Sequence, residues 1–312
     1  MKRRWLLAAP ALIATPVFAQ PSQIRIICPY APGGAGDTLA RFSAQAITEA
    51  TGMPALVENR TGAGGNLGSE LVARAAPDGA TLLMMAAAQA ANATLYRNLA
   101  FNVLRDFAPI CVVGVVPNLL SVHPAIPVRD LAEFLAFARA QRGGITYGSA
   151  GIGTIPHLAM VMLAQRAGFE ATHVPFRGTV PALTELLAGR IQAVLDNFPP
   201  QVGHVRAGGI RAIALSTAQR LPDWPELPTI GESLAGFEAV AWQSLASPAG
   251  TPMPLLRRIA EVVLAATASQ AARLRAMGIQ PGTIGPDAFP EFLRAEVTKW
   301  AQAVRISGAT VE

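Results

Sequence analysis

The chain has 312 residues, half of them apolar and only 14% charged, with 25 basic and 20 acidic side chains. That length suits one large domain or two medium lobes. The high basicity is no sign of a nucleic-acid partner: Lys2, Arg3 and Arg4 belong to an N-terminal targeting segment, and without them 22 basic residues face 20 acidic ones.

Residues 1–19 read as a cleavable secretory signal. Its positive start leads into the apolar run Trp5–Ala14, and Val17-Phe18-Ala19 has the small-x-small form of a cleavage site. The apolar run is too short to span a bilayer and is broken by Pro10 and Pro16. A soluble periplasmic protein beginning near Gln20 is expected. Cys28 and Cys111 both lie in apolar runs; an exported protein can pair them, and two buried packing residues are the simpler expectation.

The stretch Ile24–Asp37 is the unit around which the rest of the chain is organised. Ile24–Cys28 is a strand buried on both faces, ended by Pro29. Gly33, Gly34 and Gly36 make a turn, and Asp37 opens and caps an amphipathic helix with Leu39, Phe42 and Ile47 on one stripe. A strand, a glycine turn and a helix start gather free backbone N–H groups around one point, which is an anion pocket. A second unit comes next, with strand Ala55–Val57, the turn Gly62–Asn66 and a helix over Leu67–Ala76. A third strand, Thr81–Met85, leads into the small polar run Ala86–Asn92. Phe107–Val116 and Leu119–His123 are apolar runs around Pro117, and Asp130–Arg142 is a helix.

A new series of βα units then begins. Its strands are Ile145–Gly148, Ala171–Val174, Ala193–Asp196 and Arg211–Leu215; its helices cover Ile155–Ala167 and Pro181–Ala188. Leu221–Gly236 is loop, Phe237–Leu245 is strand, and Pro254–Ile306 is helical with a break near Met277–Pro286. Alternating strands and helices predict α/β architecture with mostly parallel sheets covered on both faces. Two lobes are expected, one from 20–122 with 237–312 and one from 123–236, with the ligand in the cleft between them at the carboxyl ends of the strands. The helical tail is expected to pack on the first lobe.

Catalytic patterns fail. Gly62–Gly68 is one residue out of step with a dinucleotide fingerprint, no P-loop is present, and Tyr147 stands where a serine elbow needs glycine. His123, His157, His173 and His204 contain no i, i+4 pair for a metal. No cofactor or metal is implied.

Five motifs in register resemble the periplasmic receptors of tripartite tricarboxylate transporters, the Bug or TctC-like family. They are Tyr30-Ala31-Pro32-Gly33-Gly34 with Asp37; Glu58-Asn59-Arg60 followed by Gly62–Asn66; Ser149-Ala150-Gly151 with Gly153, Thr154 and His157; His173–Gly178; and Trp242 followed by Pro248–Pro252. Ala31 stands where proline is usual, and Phe176-Arg177 where Tyr-Lys is common, which costs a hydroxyl at Phe176. The resemblance implies a two-lobed periplasmic-binding-protein fold of type II that closes on a small organic acid. It also implies integral-membrane permease subunits as partners, with no nucleic acid, and a monomeric receptor. The first lobe would grip a carboxylate with Tyr30, Pro32, Gly33, Gly34, Asp37, Asn59, Gly64, Gly65, Asn66 and Ala87, through backbone N–H groups, side chains and ordered waters. The second lobe would face it with Ser149, Gly153, Thr154, His157, Phe176, Arg177, Gly178, Thr179 and Asp196. Ser149, Thr154 and Thr179 can equally serve as helix caps, and Asp37 suits a cap or water anchor better than a direct ligand. Two other readings share the cleft: a secreted serine hydrolase using Ser149 with His173 or His157, and a ligand sensor for a signalling partner.

Overall fold

The computed structural model describes residues 22–311. The expected secretory signal, residues 1–19, lies outside them. In chain order the elements are β1 (Ile24–Cys28), α1 (Ala35–Thr51), β2 (Ala55–Asn59), α2 (Asn66–Ala73), β3 (Thr81–Ala86), α3 (Ala87–Leu95), β4 (Phe107–Val116) and β5 (Asn118–Val122). Next come α4 (Leu131–Ala140), β6 (Ile145–Ser149), α5 (Ile155–Ala167), β7 (Ala171–Pro175), α6 (Thr179–Leu187), β8 (Ala193–Asn197), α7 (Val202–Arg206) and β9 (Arg211–Leu215). The last are β10 (Ala241–Pro248), α8 (Met253–Ser269), α9 (Ala271–Ala276), β11 (Gln280–Pro281) and α10 (Phe289–Ser307). The run Ala86–Asn92, expected only as a polar connection, is helical from Ala87. The strand expected from Phe237 starts at Ala241.

These elements form two sheets, ordered β11-β4-β10-β3-β1-β2 and β7-β6-β8-β5-β9. Both are mixed, which corrects the mostly parallel expectation. Strands β2, β1 and β3 are parallel, as are β7, β6 and β8, whereas β10 runs against β3 and β4, and β5 against β8 and β9. The reason is the crossing between sheets. Strands β5 and β10 each enter their sheet from the cleft side, so they run opposite to strands that end there.

Alternation along the first sheet buries both faces. Ile24, Ile26, Met84 and Leu245 pack against α1 and α8, through Leu39, Ile47, Leu256 and Ile259. Ile27, Leu83, Met85 and Trp242 face α2, α3 and α10. Cys28 and Cys111 share the first of these clusters and are free thiols. Strands β3 and β10 lie between the strands that carry them. Three strand spacings of about 4.8 Å put them roughly 14 Å apart, twice the reach of a disulfide. Burial pushes the Cys111 thiol up to about 12.

The chain leaves the first sheet at Pro117, between β4 and β5, and returns through residues 237–240 ahead of β10. Side chains knot the two crossings together. Asn118 Nδ2 donates to the Ala239 carbonyl (2.7 Å), Ser216 Oγ donates to the same oxygen (2.7 Å), and the Asn118 N–H donates to Ser216 Oγ (3.1 Å). The helical tail does return to the first sheet, but α10 also packs against α5 of the second lobe. It is fixed to the first lobe by buried Glu296, whose Oε2 accepts from Trp242 Nε1 (2.7 Å) and Trp300 Nε1 (2.8 Å).

Candidate functional site

Strands β2, β1 and β3 are neighbours, and each runs into a helix, so the N-termini of α1, α2 and α3 meet at one edge of the first sheet. Helix α1 starts at Ala35, with Gly34 as its N-cap and no side-chain cap. Asp37 is therefore not the cap that its position suggests; it is the third residue of the helix and reaches backward. Its Oδ2 accepts from the Gly33 N–H (3.0 Å) and Arg41 Nε (2.9 Å), and its Oδ1 from Asn59 Nδ2 (2.9 Å). Asn59 Nδ2 also donates to the Tyr30 carbonyl (3.0 Å). One carboxylate thus ties the glycine turn, α1 and the end of β2 into one unit. Burial alone would raise the Asp37 carboxyl, but the bonds from Arg41, Gly33 and Asn59 outweigh it and hold the group below the usual range. The Gly33 N–H is used internally. The N–H groups of Ala35, Gly36 and Asp37 have no intrahelical acceptor and can meet an anion, whose charge suits the helix end.

The second glycine turn closes on α3. The Gly64 carbonyl accepts from Asn92 Nδ2 (3.0 Å), which also bonds Asn66 Oδ1 (2.8 Å), so Asn66 is held as a brace for the turn. Gly65 has φ +94° and forms the N-cap of α2. A Cβ there would lie 2.7 Å from Gln89 Nε2 and 3.5 Å from the Tyr30 ring, and one on Gly36 would lie 2.6 Å from the same ring. Tyr30 is thus seated between two glycines, and its hydroxyl donates to Gln89 Oε1 (2.7 Å). Gln89 Oε1 also accepts from the Ala86 N–H (2.9 Å), while its Nε2 is fully buried and has no partner among the described residues. Gln243 on β10 carries another unpartnered buried amide oxygen beside Gly36. Sequence reading missed both glutamines. Their only signals are an amide in the alanine-rich run Ala86–Asn92 and a polar side chain beside Trp242 in the Phe237–Leu245 stretch. Ala87, the first residue of α3, is fully buried and contributes backbone there, and Pro32 is exposed on the first turn.

The second lobe repeats the arrangement with β7, β6 and β8 and the N-termini of α5 and α6. Its two loops are stitched together by Phe176 N–H to Ser149 O (3.1 Å) and Gly178 N–H to Ala150 O (3.2 Å). Neither Thr154 nor Thr179 caps its helix with its hydroxyl. Thr154 Oγ1 donates to the Gly151 carbonyl (2.7 Å), and Thr179 Oγ1 donates to Asp196 Oδ1 (2.9 Å). Asp196 is 1% exposed; its Oδ2 has no partner among the described residues, and burial pushes its carboxyl up to about 6. Arg177 is exposed on the loop, and the Phe176 ring packs on Gly148.

Ser149 is fully buried, with Oγ 2.6 Å from His173 Nε2. His157, expected to face the cleft, supports the loop from beneath: its Nδ1 accepts the Gly153 N–H (3.0 Å), and its ring stacks 4.0 Å from His173. Burial, and then the neighbouring His173, push His157 down to about 4, so it is neutral. Gly153, with φ +75°, lies against Leu95 at the end of α3, where a Cβ would come within 2.2 Å of the leucine. The two lobes therefore touch at this loop. Concavities of ≈ 750 Å³ between α5 and α10, and of ≈ 570 Å³ beside Trp224, include none of the cleft-loop residues. Neither lining includes an unpartnered buried polar side chain among the described residues, whereas the cleft gathers two such amides and several helix ends. Among the described residues no group of three or more His, Cys, Asp or Glu is placed to hold a metal.

Two mixed α/β lobes joined by two crossings, with helix N-termini facing across the cleft, define a periplasmic-binding-protein fold of type II. The chain belongs to the receptors of the tripartite tricarboxylate transporter family: the profile described as "Tripartite tricarboxylate transporter family receptor" matches residues 39–308. Protein BugT of Bordetella pertussis is 32% identical over 317 residues, covering 98% of this chain and 97% of its own. Among solved structures, R. palustris Rpa4515 with adipate is 32% identical with TM-score 0.79, over 93% of this chain and 98% of its own. MatC of Rhodopseudomonas palustris with bound malate is 30% identical with TM-score 0.74, over 90% and 98%.

Proposed function

We propose that this receptor captures a small organic carboxylate in the periplasm, as a monomer exported by its N-terminal signal, and hands it to the permease subunits of its transporter. The observation that carries the reading is the meeting of three helix N-termini over a floor containing the unpartnered Gln89 amide. Helix ends bind carboxylates without Lys or Arg, and Arg41, the cation on α1, is already engaged by Asp37. The carboxylate sits on the N–H groups after Gly34 and near Gly64 and Gly65. The loops Ser149–Thr154 and Phe176–Thr179 cover it from the second lobe, whose span of 123–236 moves as a unit about the crossings. Adipate and malate in the related structures fit the same ligand class.

Ser149 and His173 are in contact, as a hydrolase would need. But Ser149 is fully buried and, among the described residues, no carboxylate hydrogen-bonds to His173, so the pair lacks both access and an orienting acid. A thermal-shift screen of carboxylic acids tests the receptor reading. A true ligand at 100 times its Kd stabilises the fold by about 2.7 kcal/mol. The primary amide of the best acid should bind far more weakly in calorimetry, and equal affinity for acid and amide would overturn the anion pocket.

A further inference from the structure

The second lobe contains a polar feature that carboxylate capture leaves unused. Asp196 ends β8 at the cleft edge of its sheet, next to the N-terminus of α6. It is held rigidly by one oxygen only: Oδ1 accepts from Thr179 Oγ1 (2.9 Å) and from the Asn197 N–H (2.6 Å). The other oxygen, Oδ2, is buried and has no donor among the described residues. Buried carboxylate oxygens are normally met by donors, because leaving one bare costs far more than a hydrogen bond returns. Among the described residues no cation is paired with Asp196, and Arg177, two residues before Thr179 in the chain, is solvent-exposed.

We infer that Asp196 Oδ2 is a specificity-determining acceptor, and that the preferred ligand is a carboxylic acid carrying a second group that donates a hydrogen bond, a hydroxyl or an ammonium. This rests on the carboxylate-receptor reading and deepens it. The two lobes then make opposite demands: helix N–H groups in the first lobe want an acceptor, and Asp196 in the second wants a donor. A plain aliphatic diacid satisfies the first and leaves the second bare, with two negative groups near each other.

The test is a panel of acids matched in carbon skeleton, titrated by calorimetry into the full receptor: succinate, malate and aspartate; glutarate, 2-hydroxyglutarate and glutamate; propionate, lactate and alanine. In at least one set the donor-bearing acid should bind about tenfold tighter than its plain partner, the size expected for a hydrogen bond to a charged acceptor. The hydroxyl and amino members separate the two donor types. Asp196→Asn keeps the shape, lets Oδ1 go on accepting from Thr179, and replaces the bare acceptor by a donor. It should collapse that preference to within about twofold, whatever happens to the absolute affinities. A readout that needs no variant is the side-chain carboxyl carbon resonance of Asp196 in aspartate-labelled protein, which should shift with the donor-bearing acid and not with the plain one. Equal affinity within every matched set, or a preference that survives in Asp196→Asn, would overturn the inference and leave carboxylate capture standing. If no acid of any kind bound, the parent reading would fall with it.

Discussion

Gly34 offers the cleanest test of where the carboxylate sits. Its φ of −78° and ψ of 172° are ordinary for any residue, and a Cβ there would meet only the Ala31 carbonyl at 3.6 Å, an ordinary contact. Gly34→Ala should therefore leave stability within about 1 kcal/mol. Alanine is a poorer N-cap than glycine by several tenths of a kcal/mol to about 1, and the stiffer unfolded chain returns about 0.4–1. Binding should behave differently, because the methyl stands at the mouth of the α1 N-terminus where the carboxylate must approach. Losing one charge-assisted bond there costs about 1.5–3 kcal/mol, or roughly 10- to 150-fold in Kd. Gly65→Ala is the contrast: with φ +94° and a Cβ at 2.7 Å from Gln89 Nε2, it should lose at least about 1–2 kcal/mol of stability as well as affinity. Guanidinium unfolding and calorimetry with the best acid from the screen measure both quantities. A folded Gly34→Ala receptor binding within about twofold of wild type would move the carboxylate away from α1.

Further outcomes concern the second lobe, the chain start and the hinge. His157 is depressed from 6.5 to about 4, so the unfolded chain binds the extra proton first; the stabilisation is complete above about pH 6.5 and is lost as pH falls toward 4. Its size is about 3 kcal/mol, and it is read from denaturant unfolding at pH 7 and 4.5 as the difference in slope between wild type and His157→Gln, because the raised Asp196 carboxyl acts in the opposite direction in both proteins. A slope unchanged in the variant would assign the pH dependence elsewhere. Intact-mass measurement of the exported protein should place its first residue near Gln20, and retention of the apolar start would refute processing there. Small-angle scattering should show a smaller radius of gyration at ligand saturation, from rotation about the knot of Asn118, Ser216 and Ala239; an unchanged radius together with an open unliganded crystal structure would refute closure.

The βα rhythm was legible because its signals are local. β1, α5 and β9 fall where apolar runs and turn glycines put them, and Asp130 caps α4 through the Glu133 N–H as its position suggests. Strand direction was not legible. Nothing within β5 or β10 says that it enters its sheet from the cleft side; that is a property of the crossings. The site divided in the same way. The glycine turns announce themselves, but Gln89 and Gln243 become site candidates only when distant strands set them beside Tyr30 and Gly36. His157 sits inside a recognisable motif, yet neither its bond from the Gly153 N–H nor its stack on His173 is revealed by spacing alone.

Helix α10 gives the receptor a means of tuning affinity away from its ligand. The bond from the Trp242 indole on β10 to Glu296 ties α10 to the first lobe, and the Trp300 indole on α10 itself holds the same carboxylate in place, while the outer flank of α10 rests on α5, whose N-terminus is the loop at Thr154. Any rotation between the lobes must shear that helix pair. Under the proposed hinge closure, that packing would enter the open-to-closed ratio before ligand arrives, and the observed Kd would be the intrinsic one divided by the fraction already competent to bind. Substitutions along α5 and α10 can then retune a receptor for scarce or abundant acids with every cleft residue unchanged, so two relatives with identical pockets need not bind equally well.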